Sequence, residues 1–483
     1  MLKGVKVVCI LAQPFLKVVL KVVCILAQPV LKVVLKVVCI LAQPFLKVVY
    51  MNISTNAEAF VPLLKQYKLI SKRENDDKYK LIMRSLFKDL LEAEKYLRTL
   101  PVNKTTYTWE EHKDNNHVQL SNNSRFFPKT IRKYIQDTQC SLIKYTCEIQ
   151  GRENNIYFYI YASEAGASEA GASEAGASKA GASEASPTSK AGASEHGINR
   201  AVKLMFTWLY VCIKYAQQKC AKELNVYIFL TPFKKTLPVK TTTIISSEHV
   251  NTAFTYSCLP DGEITIFRAE EWFKVFLHET FHAYNLDFGL TTVPTNLQDK
   301  INTLFHINSD FNINEAYTEA WSRIINCVLY SFESLTEREK TFNNFLMYTD
   351  FCLELERLFS LYQMNKILNF MGLNYPDIYS SGGYLKAHLY KEDTHVFGYY
   401  ILTALFLNDY KEFVQWCAAI NTNILKFNCS AESFKKMAIY IQQIYNNPEL
   451  LRVLSLYQTN KIKTTANLAS TTRMTVIDLV DIQ

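Results

Sequence analysis

"AEEWFKVFLHETFHAY", residues 269–284, sets two histidines four apart in a run of bulky apolar residues. Trp272, Phe273, Phe276 and Leu277 recur at helical spacings, which predicts a helix over Glu270 to Tyr284. Residues i and i+4 project from one helix face, so the imidazoles of His278 and His282 can reach a single ion. Glu279, beside the first histidine, is displaced round the helix towards the open side of such an ion. Two neutral nitrogen donors at ~2.0–2.1 Å and a carboxylate that can take a proton from water are the parts of a catalytic zinc site. The competing reading is a core helix that happens to contain histidine. Burying two imidazoles and several carboxylates unpaired costs on the order of several kcal/mol each, so a cation resolves the cluster better than packing does.

The flanks predict an α+β fold. "SLIKYTCEIQGRENNIYFYIYA" (141–162) has the pattern of a β-hairpin, and Asn199 to Leu224 that of an amphipathic helix. "NVYIFLTPF" (225–233) predicts a strand, and "TAFTYSCLPDGEITIFR" (252–268) a second hairpin turning at Pro260-Asp261-Gly262. The order strand, helix, strand, strand, helix delivers the motif helix onto a small mixed sheet. Between the first hairpin and the next helix, residues 162–197 repeat a five-residue Ala/Ser/Glu/Gly phrase with no large apolar residue. That composition cannot bury a core and is expected to be an expanded surface loop within one domain, because loop-closure entropy grows slowly with length. From Glu315 the chain reads as almost wholly helical. The expected division is a helical N-terminal region at 51–140 with a long helix over Lys78 to Leu97, a catalytic unit at 141–326, and a helical C-terminal subdomain at 327–483.

Residues 1–50 are three near-copies of "LKVVCILAQPFLKVV" and are expected to lie outside the fold, which then starts near Met51. Lysines interrupt every apolar run well short of the ~18 residues a spanning helix needs, so membrane attachment through this extension is the lesser reading. No secretory cleavage pattern is present. Seven of the lysines behind the net charge of +8 lie in this extension, and without them the formal charge is +1. The body therefore lacks the basic surface that nucleic-acid binding requires. Twelve cysteines form no CxxC pair, so reduced thiols and a cytoplasmic, intracellular setting are expected.

A catalytic zinc takes a third protein ligand. "INSDFNINEAYTEAWSRIINC" (307–327) supplies Glu315 and Glu319, four apart on the next predicted helix. HETFH followed by Asn314-Glu315-Ala316-Tyr317-Thr318-Glu319 resembles the gluzincin clan of zinc metallopeptidases, with a thermolysin-like arrangement of motifs. The resemblance covers roughly Tyr227 to Asn326 and implies a zincin-like fold holding one Zn²⁺. It makes His278, His282 and Glu315 the ligands and Glu279 the general base. Glu319 takes the acidic position that accepts a hydrogen bond from a ligand histidine. Two departures are a glutamate at 319 where the clan has aspartate, and 32 residues between His282 and Glu315. They leave open that Glu319 is the ligand and Glu315 its supporter. The metzincin pattern is excluded, since Asn285 and Phe288 stand where it needs glycine and histidine.

In the gluzincin clan a histidine or tyrosine from the C-terminal helical part helps to hold the oxyanion. "YKEDTHVFGYYILTALF" (390–406) offers His395, Tyr399 and Tyr400. The expected activity is hydrolysis of peptide or protein substrates. A non-catalytic zincin-fold binding protein and a zinc hydrolase of a non-peptide substrate are the alternatives.

Overall fold

Runs rich in Tyr, Ile, Phe and Val form a six-stranded mixed sheet: β1 (Asn103–Tyr107), β2 (Cys140–Ile149), β3 (Arg152–Tyr161), β4 (Glu223–Phe229), β5 (Ala253–Thr255) and β6 (Asp261–Ile266). Their spatial order is β1-β2-β3-β4-β6-β5. The computed structural model describes residues 54–66, 76–112, 126–161, 195–307, 309–459 and 465–479. The tandem repeat at 1–50 and all but the last three residues of the biased loop lie outside the described residues, and so do the expectations about them.

β2 and β3 pair antiparallel from Cys140↔Tyr161 to Ile149↔Arg152, as their alternation predicts. Gln150 and Gly151, the two turn residues, both have positive φ (51° and 73°), the geometry whose twist matches that of the flanking strands. β3, β4 and β6 run parallel, and β5 closes one edge antiparallel to β6. The central strands are buried on both faces. Because side chains alternate, Ile156, Phe158, Val226 and Ile228 join the main core. Tyr157, Tyr159, Tyr227 and Phe229 join a smaller one on the opposite face, with Tyr159 stacked on Phe229 at 4.4 Å.

The helices that matter for the site are α1 (Asp77–Leu97), α2 (Lys129–Asp137), α3 (Glu195–Tyr215), α4 (Trp272–Ala283), α5 (Ile313–Glu333) and α6 (Phe342–Phe370). α2 covers the smaller core through Ile131 and Ile135. α4, which carries the histidine motif, packs on β5, β6, α3 and α5, and all of its residues are buried. That explains why apolar residues surround it: a helix enclosed on all sides has no solvent face to keep polar. Trp208 on α3 donates its indole N–H to Thr280 Oγ1 at 2.8 Å, which fixes the rotation of α4 about its axis.

The expected domain limits do not coincide with breaks in packing. β1, from the region expected to be helical, pairs with β2, and position 326 lies inside α5. One apolar core runs from Ala57 to Leu479. The final extended segment, Thr471 to Leu479, is threaded behind α4: Glu271 at the α4 N-terminus accepts from Met474 N at 2.8 Å, and Glu356 of α6 from Val476 N at 2.9 Å. One sequence expectation needs correction, because Cys220 and Cys258 form a disulfide that joins the start of β4 to the β5–β6 turn. The two cysteines are 38 residues apart and meet only when β4 and β6 lie side by side, which no spacing rule reveals. Among the described residues no helix is long and apolar enough to cross a membrane.

Candidate metal centre

The i,i+4 spacing on α4 brings the two imidazoles together as expected: His278 Nε2 and His282 Nε2 are 3.1 Å apart. Glu315, in the first turn of α5, reaches them from across the helix interface. Its Oε2 lies 3.1 Å from His278 Nε2 and its Oε1 3.7 Å from His282 Nε2. One ligand atom from each of the three residues lies within 4.8 Å of the other two, close enough for all three to reach a single ion. Asn312 caps α5 by accepting from Asn314 N at 3.0 Å, which sets where that first turn begins.

The outer nitrogens decide the chemistry of this cluster. His278 Nδ1 lies 3.1 Å from Glu319 Oε2, and His282 Nδ1 is hydrogen-bonded to Asp287 Oδ2. A carboxylate only accepts, so each Nδ1 is the donor of its outer pair, and a ring that carries no second proton turns its Nε2 lone pair inward. With both rings neutral, two lone pairs and the Glu315 carboxylate face one point with no donor among them. Only a cation at that point, whether protons or a metal ion, relieves the repulsion, and the donor set therefore fits Zn²⁺.

The electrostatics show that protons on the two rings can supply that cation. Burial alone would lower the His278 imidazole, but its hydrogen bonds to Glu315 and Glu319 carry it above the usual histidine range. His282 is likewise disfavoured by burial and is held well above that range by the charges of Asp287 and Glu315. Burial would raise Glu315, yet the two imidazoles, His282 foremost, hold it well below the usual carboxylate range. Glu319, also penalised by burial, is brought down to about 2 chiefly by the charge of Lys274. Glu279 behaves oppositely: burial dominates and raises it, leaving a carboxylate with more than ordinary proton affinity beside the histidines.

Glu319 sits on the outer side of His278 and Glu315 on the inner side, within reach of both rings. Of the three C-terminal candidates, Tyr399 is at the cluster and donates its hydroxyl to Glu315 Oε2 at 3.1 Å. Burial, with the charges of Glu315 and Glu279, raises its phenol well above the usual value, so the hydroxyl keeps its proton. His395 lies behind it, ring centres 6.1 Å apart, and its buried Nδ1 has no hydrogen-bond partner among the described residues. Tyr400 is not brought to the cluster: successive residues of a helical turn point in different directions, and its hydroxyl goes to Thr472 O instead. The turn carrying these tyrosines, Phe397–Leu402, is π-helical, a local widening frequent at functional sites. Gly398 lets it approach α5, since a Cβ there would stand 2.9 Å from Asn312 O and 3.5 Å from Glu315 Cβ.

Sequence reasoning missed Asp287 and Lys274. Asp287 is fully buried and accepts, besides His282, from Asn314 Nδ2 at 2.9 Å, Thr318 Oγ1 at 3.3 Å and Gly289 N at 3.2 Å. It can face His282 because Asn285 takes a left-handed conformation (φ 52°) that ends α4 and turns the chain back. Lys274 precedes His278 by four residues, a spacing that was in plain view on the same helix face. Comparison of the chain with family models, curated proteins and solved structures finds no match.

Proposed function

We propose that this chain is a zinc-dependent metallopeptidase with a zincin-like fold. The observation that carries the reading is the convergence of two Nε2 atoms and the Glu315 carboxylate on one point, with both Nδ1 atoms paired outward with the carboxylates of Glu319 and Asp287. On this reading His278, His282 and Glu315 hold Zn²⁺, which supplies Lewis acidity towards the scissile carbonyl and the attacking water. Glu279 takes the proton of that water and passes it to the leaving amine; its burial-raised proton affinity suits both halves of the transfer. Tyr399, still protonated and beside Glu315, is the donor for the developing oxyanion, with His395 next in line. Among the described residues β5 has a strand partner on one side only, next to α4, and an extended peptide adding there as a further strand is the binding mode this reading implies.

One observation favours a second reading, a zincin-fold protein that binds metal without catalysis or acts on a small non-peptide substrate: His278, Glu279 and His282 are only 5%, 7% and 8% exposed. The test is peptide hydrolysis by the full chain and by Glu279→Gln, with zinc content measured in both. Zinc in both proteins with cleavage by the parent alone supports the peptidase; zinc in both with cleavage by neither removes it in favour of the second reading.

A further inference from the structure

Lys274 Nζ lies 2.9 Å from both carboxylate oxygens of Glu319, in a pair whose side chains are 2% and 1% exposed. Such a pair is a poor stability device, because desolvating two charges offsets much of their attraction and apolar residues of similar volume would serve as well or better. What an apolar pair cannot do is hold a carboxylate in one orientation. Glu319 has one task that requires it: its Oε2 also lies 3.1 Å from His278 Nδ1. Asp287, the counterpart on His282, is held instead by neutral donors, Asn314, Thr318 and the backbone of Gly289. The two rings are thus supported differently, one by a carboxylate gripped by a lysine and one by a carboxylate that, besides the ring itself, is held by neutral donors.

We propose that Lys274 is a positioning residue of the metal centre: by gripping both oxygens of Glu319 it fixes the one that orients His278, and so aims His278 Nε2 at the ion. Lys274, His278 and His282 recur every four residues along α4, so one helix face carries the cation that steadies the support and the two imidazoles themselves. The seat of Lys274 is completed by the C-terminal segment, with Met474 Sδ 3.8 Å from Nζ. This inference rests on the zinc reading above.

The experiment measures zinc affinity by chelator competition and the visible spectrum of the Co²⁺-loaded full chain for Lys274→Met, Lys274→Gln, Glu319→Gln and the Lys274→Met/Glu319→Gln double variant. Lys274→Met is expected to weaken zinc binding by about 10–100-fold and to alter the Co²⁺ spectrum. Lys274→Gln, which keeps a donor, loses less. The double variant binds no more weakly than Glu319→Gln alone, because Lys274 acts through Glu319. If Lys274→Met fails to fold, Lys274→Gln and the double variant, which leaves no unpaired charge, still decide the matter. Wild-type affinity and spectrum in the Lys274 variants, or losses at 274 and 319 that simply add, overturn the inference while leaving the zinc reading intact. A wild-type chain that takes up neither zinc nor cobalt overturns both.

Discussion

Replacing Asp287 by alanine separates ring orientation from ligation, because Asp287 does not touch the point where the ligand atoms converge. The side chain is wholly buried and serves four donors: His282 Nδ1, Asn314 Nδ2, Thr318 Oγ1 and Gly289 N. Removing it leaves several of these without an acceptor inside the core. The loss of a buried charged partner is expected to destabilise the metal-free protein by about 3–5 kcal/mol. In the same variant His282 is free to rotate or to carry its proton on Nε2, so zinc affinity should fall about 10–100-fold, which corresponds to ~1.4–2.8 kcal/mol. The two effects are read separately. Denaturant unfolding without metal gives the first, and the extra stability conferred by saturating zinc, which drops by the same ~1.4–2.8 kcal/mol, gives the second. Thr318→Val removes only the 3.3 Å contact, and its metal-free destabilisation should stay near 1 kcal/mol with little change in zinc affinity. Unchanged zinc affinity in a folded Asp287→Ala protein would refute the claim that this carboxylate orients a ligand.

Tyr399→Phe should retain zinc and lose about 10²–10³-fold in peptide turnover, the usual effect of removing one oxyanion donor; steady-state kinetics together with metal content check it. Gly398→Ala forces a Cβ to 2.9 Å from Asn312 O, so the π-helical turn must move off α5, at a cost of about 1–3 kcal/mol in thermal unfolding. The pH dependence follows from the raised imidazoles. Their contribution to metal-free stability is complete below the unfolded histidine value of about 6.5 and is lost as pH rises through their higher folded values. Glu315 and Glu319, which are lowered, contribute above the ordinary carboxylate range and lose this only as pH falls through their depressed values. On the zinc reading the metal takes the place of the imidazole protons, so the stabilisation it confers should grow from pH 6 to pH 8, as thermal melts with and without zinc will show.

What the sequence made legible is what local periodicity encodes. Two hairpins, the long helix near Lys78 and the motif helix follow from spacings of two and of 3.6, and the imidazole pair from i,i+4 geometry. The position of Glu315 needed a second segment, which Asn312 and the capped first turn of α5 deliver. Asp287 was illegible because its role depends on a left-handed residue at 285, and a non-glycine residue gives little warning of that conformation. Tyr399 was one of three candidates in its segment and could not be told from its neighbour Tyr400 until the π-helical turn placed only Tyr399 at the cluster. The Cys220–Cys258 pair and the buried C-terminal segment depend wholly on distant partners, so no short window of sequence contains them.

Zinc X-ray absorption on the metal-loaded full chain tests the central claim most directly. The account predicts one tightly held zinc with a first shell of about four nitrogen and oxygen atoms at ~2.0–2.1 Å, two of them imidazoles, and loss of that signal in His278→Ala and in Glu315→Ala. A sulfur shell near ~2.3 Å, or a spectrum unchanged by either substitution, would place the metal elsewhere and contradict it.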